Sequence, residues 1–310
     1  MSLFVSAVSA STYLERPEVS LWVEQTVAET DLDRDYVRSQ LSLATRLDKV
    51  IERISRPAEK TLNWGEYRKI FIQPRRIESG RAFLAEHADL LKQAEEQYGV
   101  PAEIITAIIG VESFYGQHKG KDEALSSLAT LAFDYPPRAK FFKRELQEFL
   151  LLAREEGFEP ASIRGSYAAA MGMPQFISSS YRHYAVDFDG DGQRDLWNSI
   201  ADVIGSVANY LNVHGWVAGG SVAELVKPGN DSYRTLLSKK LKPALKRKQL
   251  RQAGITTSVR SENEKTLMEL QKGDNKEVWV GFQNFFVITR YNHSRLYAMA
   301  VYELSNALGS

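Results

Sequence analysis

The stretch from Gly80 to His214 constrains the fold most. Its apolar residues recur at three- and four-residue spacing, in runs of about 10–20 residues, the signature of amphipathic helices packed on one another. The runs break at Gly99-Val100-Pro101, at Tyr135-Pro136-Pro137 and between Gly157 and Pro160, where glycine or proline ends a helix. Upstream, LWVEQTVAE and DYVRSQLSLATRLDKVIERISRP extend the helical pattern across 17–60 and stop at Pro57. NWGEYRKIFIQPRRI (63–77) reads as a mixed, aromatic connector. After GWVAGG (215–220) the composition shifts: 221–280 carries basic runs, short β-like pieces such as ITTSV (255–259), and a turn at KGDN (272–275). FFVITRY (285–291) reads as a buried strand, and SRLYAMAVYELSNAL (294–308) returns to helical spacing. The expected class is α+β and predominantly α-helical. The expected partition is a disordered start (1–16), an N-terminal helical part (17–79), a helical core (80–216 with 281–310) and a small mixed β-containing domain (217–280).

Composition narrows the chemistry. With 39 basic and 39 acidic residues the formal net charge is zero, so no global field favours nucleic acid or an anionic membrane. The chain has no cysteine, which excludes disulfides, thiolate metal sites, a cysteine nucleophile and a lipidated cysteine in the sequence as it stands. No apolar run approaches the length of a membrane span. The opening MSLFVSAVSAST is rich in small residues but lacks the positive region of a signal peptide.

One carboxylate interrupts the most apolar helix pattern. In VPAEIITAIIGVESFYG, proline suits the first helical position and Gly116 the position just past the end. Ile105, Ile108 and Ile109 precede Glu112 by seven, four and three residues, so all four share one helical face. A carboxylate on an apolar face is disfavoured as an anion, which prepares a general acid for use near neutral pH. A partly exposed or Arg-paired glutamate near a helix end is the other reading of the same pattern.

DFDGDGQRDLWN (187–198) is the most specific motif. Asp187, Asp189 and Asp191 alternate, and Gly192 follows, as at positions 1, 3, 5 and 6 of an EF-hand loop. Gln193 would supply a backbone carbonyl and Asp195 stands at position 9. The pattern departs at position 12, where Asn198 replaces the bidentate glutamate. Asp202, four residues on, could reach back from the next helix. Three close carboxylates repel one another without a cation, so the loop reads as one structural Ca2+ site. The alternative is a solvated Asp/Gly turn.

With these elements in view, the sequence resembles the lytic murein transglycosylase B family of bacterial peptidoglycan-cleaving enzymes. The resemblance is carried by EYRKIFI (66–72), YGVPAEIITAIIGVESFYG (98–116), LATLAFDYPPRAKFF (128–142), GSYAAAMGMPQF (165–176), the acidic loop, SVANYLNVHGW (206–216) and ITRYNHSRLYAMAVYEL (288–304). It implies a lysozyme-like helical core flanked by a helical part and a small β-containing domain. It also implies a periplasmic or cell-envelope location, outer-membrane-associated in lipoprotein members, through an anchor that this chain lacks. The implied partners are peptidoglycan glycan strands, with cell-wall synthesis or division proteins as further candidates, and no nucleic acid.

Residue by residue, the resemblance gives Glu112 the place of the sole catalytic carboxylate, first acid and then base, in a non-hydrolytic cleavage that leaves 1,6-anhydromuramyl ends. Ser166 and Gln175 match polar groups that orient the substrate. Tyr67, Tyr210, Tyr291 and Tyr297 match cleft tyrosines, whose rings stack on sugar faces. Arg138 matches one of a pair of arginines that follow the YP dipeptide. Here Pro137 stands where the second arginine often lies, and Phe141 where a tyrosine occurs, which puts peptide-side contacts in doubt. His293, in YNHS, matches a structural hydrogen-bonder.

Two rival functions remain open at this level. A hydrolytic muramidase on the same fold would need a second carboxylate, and the nearest acids, Asp122 and Glu123, have no spacing that recommends them. A non-catalytic, calcium-stabilised wall-binding protein is the other. Finally, SKKLKPALKRKQLRQ (238–252) gathers seven cations on a helix-like segment. It reads either as a solvated basic face or as a surface for anionic peptide stems or an envelope partner.

Overall fold

A computed structural model describes residues 13–55, 62–261 and 263–310. In chain order the helices are α1 (Pro17–Glu29), α2 (Arg34–Leu43), α3 (Asp48–Ile54), α4 (Trp64–Phe71), α5 (Pro74–Glu86), α6 (Ala88–Tyr98) and α7 (Ala102–Ser113). They continue with α8 (Ala124–Phe133), α9 (Ala139–Glu155), α10 (Ser178–Tyr184), α11 (Ile200–Val213), α12 (Arg247–Gln252), α13 (Gln283–Tyr291) and α14 (Arg295–Leu308). Strands β1 (Asp122–Glu123) and β2 (Arg164–Gly165) form one antiparallel pair. Strands β3 (Ala223–Val226), β4 (Thr266–Lys272) and β5 (Asn275–Gly281) form a second antiparallel sheet in the order β3-β5-β4. The class is therefore α+β and predominantly helical. No helix among the described residues is long and apolar enough to cross a membrane.

The contacts group the chain into two units, Met1–Ser55 with Lys119–His183 and Arg56–His118 with Tyr184–Ser310. In the first, α8 is the central element. Every residue from Ala124 to Ala132 is buried, as expected of a helix apolar all round, and α9, α3 and α2 pack on it. In the second, α7 plays that part: Ile104 to Gly110 are all buried, and α14, α5, α11 and α6 surround it. The β3-β5-β4 sheet has its own apolar core, in which Leu267, Val278, Val280 and Phe282 meet Tyr233, Leu250 and Ile255.

Several local expectations change. The helical run across 17–60 is divided into α2 and α3, because the backbone N–H groups of Thr45 and Leu47 donate to the Ser126 and Thr130 hydroxyls of α8 at 3.0 Å each, and that requires extended chain. α3 closes at Ile54, and Pro57 lies outside the described residues. The 63–77 connector is instead α4 and α5. Asn63 and Glu66 form a reciprocal capping box, and Pro74 occupies the first turn of α5. FFVITRY is the helix α13, not a strand. Its β-branched residues are overridden by burial of Asn284, Phe285, Val287, Ile288 and Thr289 on helical spacing. ITTSV forms no strand, and the 238–252 segment is helical only at Arg247–Gln252, beyond Pro243. The disordered start was expected to reach residue 16, yet Tyr13–Glu15 is a 3₁₀ turn. Tyr13 is buried and its hydroxyl donates to Asp134 at 3.0 Å. The rest of that expectation, 1–12, lies outside the described residues.

Candidate active site

Glu112 stands on the last turn of α7. Ile105, Ile108 and Ile109 on its face are fully buried, while the carboxylate itself is only partly so. The hydroxyl of Tyr297 donates to Glu112 Oε1 at 2.6 Å. Tyr297 belongs to the first turn of α14, where the N-cap Ser294 hydroxyl accepts its backbone N–H at 3.3 Å. From Tyr297 an aromatic series runs outward. Tyr291 stacks at 6.3 Å with 13° between the planes, and Tyr210 tilts against Tyr291 at 4.7 Å. Tyr210 in turn meets Tyr184 at 4.9 Å and lies face to face with His214 at 4.1 Å. The Tyr210 hydroxyl donates to the Arg290 carbonyl at 2.6 Å. Burial, reinforced by the charge of Glu112, pushes the hydroxyls of Tyr297 and Tyr291 well above the ordinary phenol range, so both stay neutral donors. Tyr67, buried on α4 against Phe71 at 5.2 Å, shares the electrostatic surroundings of Tyr297.

The end of α7 is held in an uncommon way. Phe114 and Tyr115, directly after the Glu112 turn, both have left-handed backbone, with φ of 52° and 57°. Each such non-glycine residue costs on the order of 1–3 kcal/mol, so the surroundings must over-determine it. The Tyr115 hydroxyl donates to the Arg76 carbonyl at 2.9 Å. Its ring fills a slot that exists because Gly80 of α5 and Gly110 of α7 lack side chains; a Cβ on Gly110 would stand 2.6 Å from the phenol. The Arg76 guanidinium covers the Phe114 ring at 4.9 Å. Gly116, expected as the first residue past the helix, is also left-handed at φ 84°, but the helix has already ended at Ser113. Phe114, Tyr115 and Arg76 were missed from the sequence, and a glycine two residues before Glu112 was the available sign.

Ser166 and Gln175 lie in the first unit, on the GSYAAAMGMPQF loop. Ser166 Oγ accepts the Ala170 N–H at 3.1 Å, and its own N–H donates to the Ala170 carbonyl at 2.8 Å. Gln175 is left-handed (φ 51°), and its Nε2 donates to the Gly172 carbonyl at 2.8 Å. Both side chains brace the loop they belong to. Arg138 is exposed at the end of the Pro136–Arg138 turn, its guanidinium 4.3 Å from the Phe141 ring, beside a groove of about 930 Å³ lined also by Trp22 and Arg144. Asp122, the acid nearest to Glu112 downstream, is engaged by Lys49 at 2.7 Å and Arg53 at 2.8 Å.

In the acidic loop, carboxylate oxygens of Asp187, Asp189 and Asp202 come within 4.8 Å of one another. Asp202 is fully buried and accepts the N–H groups of Phe188 at 2.7 Å and Asp195 at 2.8 Å. Burial first, then the charges of Asp189 and Asp187, raise its pKa. Carboxylates throughout the loop accept its own N–H groups: Asp187 from Gly190 at 2.8 Å, Asp191 from Gln193 at 2.8 Å, and Asp195 from the backbone N–H of Asn198 at 3.0 Å and its side-chain amide at 2.9 Å. An all-oxygen donor set with one buried carboxylate fits a hard cation.

The Transglycosylase SLT domain family matches residues 15–306. Membrane-bound lytic murein transglycosylase B of Escherichia coli K12 is 41% identical, over 96% of this chain and 84% of the relative. The crystal structure of the soluble lytic transglycosylase SltB1 of Pseudomonas aeruginosa is 45% identical, with a TM-score of 0.89 over 94% of this chain and 98% of that one. Escherichia coli lytic transglycosylase Slt35, solved in complex with calcium, is 42% identical, with a TM-score of 0.84 over 94% and 93%. The fold is thus the lysozyme-like one that the resemblance implied, and the substrate, peptidoglycan, sets the protein to work in the bacterial cell envelope. The chain belongs to the lytic murein transglycosylase B family, with the SLT-type transglycosylase domain, and is a peptidoglycan-cleaving lytic transglycosylase.

Proposed function

We propose that Glu112 performs both proton transfers of a non-hydrolytic cleavage between N-acetylmuramic acid and N-acetylglucosamine. As an acid it protonates the bridging oxygen; the bond from that oxygen to the muramyl anomeric carbon breaks, and the N-acetylglucosamine side leaves as an alcohol. The muramyl 6-hydroxyl then bonds to the anomeric carbon and gives its proton to the Glu112 carboxylate. The acid is restored, a 1,6-anhydromuramyl end is formed, and no water is consumed. Ordinary glycosidases need a second carboxylate for the nucleophile or its base. Here the nucleophile belongs to the sugar under attack and needs only to be held in place.

The observation that carries this reading is the Tyr297–Glu112 hydrogen bond of 2.6 Å at the end of an otherwise apolar helix. A neutral phenol fixes the carboxylate and steadies its anionic form when the proton has left. Tyr291, the one of the matched cleft tyrosines left partly exposed, acts as the sugar-facing ring, with the buried Tyr67 and Tyr210 as its support, a role that rests on the family resemblance. Ser166, Gln175 and Arg138 contact the substrate's polar groups, a role that rests on the family resemblance. Asp187, Asp189 and Asp202 hold one structural calcium ion, which neutralises the loop ahead of α11. The test is mass analysis of the products released from purified sacculi. Anhydromuramyl ends from the wild type and none from Glu112→Gln are expected. Reducing ends would assign a muramidase, and cleavage by Glu112→Gln would remove the catalytic role.

A further inference from the structure

Charge in this chain is distributed unevenly. From Ser232 to Ser261 there are nine cations and no acid, which leaves the rest with 30 cations against 39 acids. Lys239, Lys240, Lys242, Lys248 and Arg251 are exposed, and none of them forms an ion pair among the described residues. A solvated run would ordinarily sit on loose chain. This one does not. Leu245 forms a β-bridge with Lys265, with N–H···O distances of 2.9 Å in both directions, and Leu250 is buried in the core beneath the β3-β5-β4 sheet. At the other end Arg295 donates to the carbonyls of Ser238 and, at 2.9 Å, Lys240. The backbone under the lysines is thus pinned at both ends, and their ammonium groups project from a fixed base.

The pin also sets the location. Arg295 is the first residue of α14, and Tyr297, two residues on, donates to Glu112. Two residues of helix rise about 3 Å, so the cationic segment is tied to the turn that carries the partner of the catalytic carboxylate. Arg295 itself places a further positive charge there, with its Nε buried and without a hydrogen-bond acceptor among the described residues. Gathered like charges without acids between them raise the local potential and favour an anionic ligand. Peptidoglycan supplies one: the peptides carried by its muramyl residues bear free carboxylates, and they arrive joined to the strand being cut.

We propose that the segment 238–251 is a docking surface for the anionic peptide stems of peptidoglycan, beside the Glu112 end of α14. The proposal rests on the peptidoglycan reading above, and its chemistry is multivalent ammonium–carboxylate pairing at an exposed surface. Such pairing is individually weak, collectively useful and sensitive to salt. It would retain stem-bearing strands without taking part in the bond cleavage, so it should act on KM and leave kcat alone.

The experiment compares the whole protein with Lys239→Gln/Lys240→Gln/Lys242→Gln on two substrates, intact sacculi and glycan strands freed of their stems by an amidase. The exposed substitutions should leave the thermal midpoint unchanged. At low salt the triple variant is expected to raise KM for sacculi about threefold to tenfold and to weaken its salt dependence, with kcat unchanged. On stem-free strands variant and wild type should coincide. An unchanged KM for sacculi, or an equal rise on both substrates, overturns the proposal. So does loss of binding to phosphatidylglycerol vesicles with sacculus turnover intact, which would assign the surface to a membrane. Retention of Glu112→Gln on sacculi, with and without the triple substitution, keeps the two readings separable, because docking is then measured where no cleavage is expected.

Discussion

Tyr297 and Glu112 are joined by a 2.6 Å hydrogen bond between the first turn of α14 and the last turn of α7. A hydrogen bond to a charged group is worth about 1.5–3 kcal/mol. Part of that is expressed only once Glu112 has given up its proton. Tyr297→Phe keeps the ring on Tyr291 and removes only the donor. The expected result is a fall in kcat of roughly tenfold to a hundredfold, with the thermal midpoint nearly unchanged, measured by turnover of sacculi alongside thermal unfolding.

The slot that receives Tyr115 predicts a different pattern. Tyr115→Phe removes the hydrogen bond to the Arg76 carbonyl, which keeps its place in the α5 ladder, and should destabilise the protein by about 0.5–1.5 kcal/mol. Gly110→Ala places a Cβ 2.6 Å from the phenol and cannot be accommodated without moving the helix end. It should lower the thermal midpoint by at least as much and depress kcat further, because Glu112 is two residues away. A Gly110→Ala protein of wild-type stability and activity would show that the slot is not tight.

Removal of divalent cations should lower the thermal midpoint at constant ionic strength, and added calcium should restore it. An ion bound only by the folded state stabilises it by mass action. Asp202→Asn should remove most of this calcium response. Asp195→Asn, at a residue occupied with Trp197 and Asn198, should keep it. Calorimetric titration of the metal-free proteins measures both.

Glu145 gives a pH signature in the first unit. It is buried, its pKa is raised by burial despite hydrogen bonds from Ser179, and so the native state holds its proton to higher pH than the unfolded chain does. A raised carboxyl costs nothing while both states are protonated. Stability is then lost as pH climbs from the ordinary carboxylate range, about 4, through the raised value. Glu145→Gln cannot ionise. Its stability relative to the wild type should therefore improve as pH rises across that window, as read from thermal midpoints at a series of pH values.

What could be read in advance followed local periodicity. The Ile105–Ile108–Ile109 face leading to Glu112 was visible because i, i+3 and i+4 positions are neighbours in any helix. α13 was misread because Phe-Phe-Val-Ile-Thr has strand propensity, and only burial against the rest of its unit makes it helical. The division between α2 and α3 depends on hydroxyls of Ser126 and Thr130, some eighty positions away, which no window contains. Within the acidic loop, alternation picks out Asp187, Asp189 and Asp191 equally, yet the fold brings Asp202 rather than Asp191 to the first two. The left-handed pair Phe114–Tyr115 is not announced by its own residue types, since glycine is the residue that normally adopts such backbone. The glycines that make room for it, Gly80 and Gly110, look from the sequence like ordinary helix weaknesses.

The bond between Tyr297 and Glu112 spans 185 positions of chain. During synthesis the acid therefore emerges long before the phenol that fixes it, and α7 must wait for α14 to cover it. A growing polypeptide carries Glu112 well before the phenol that orients it, so the setting of this carboxylate is complete only once the final helix has been made.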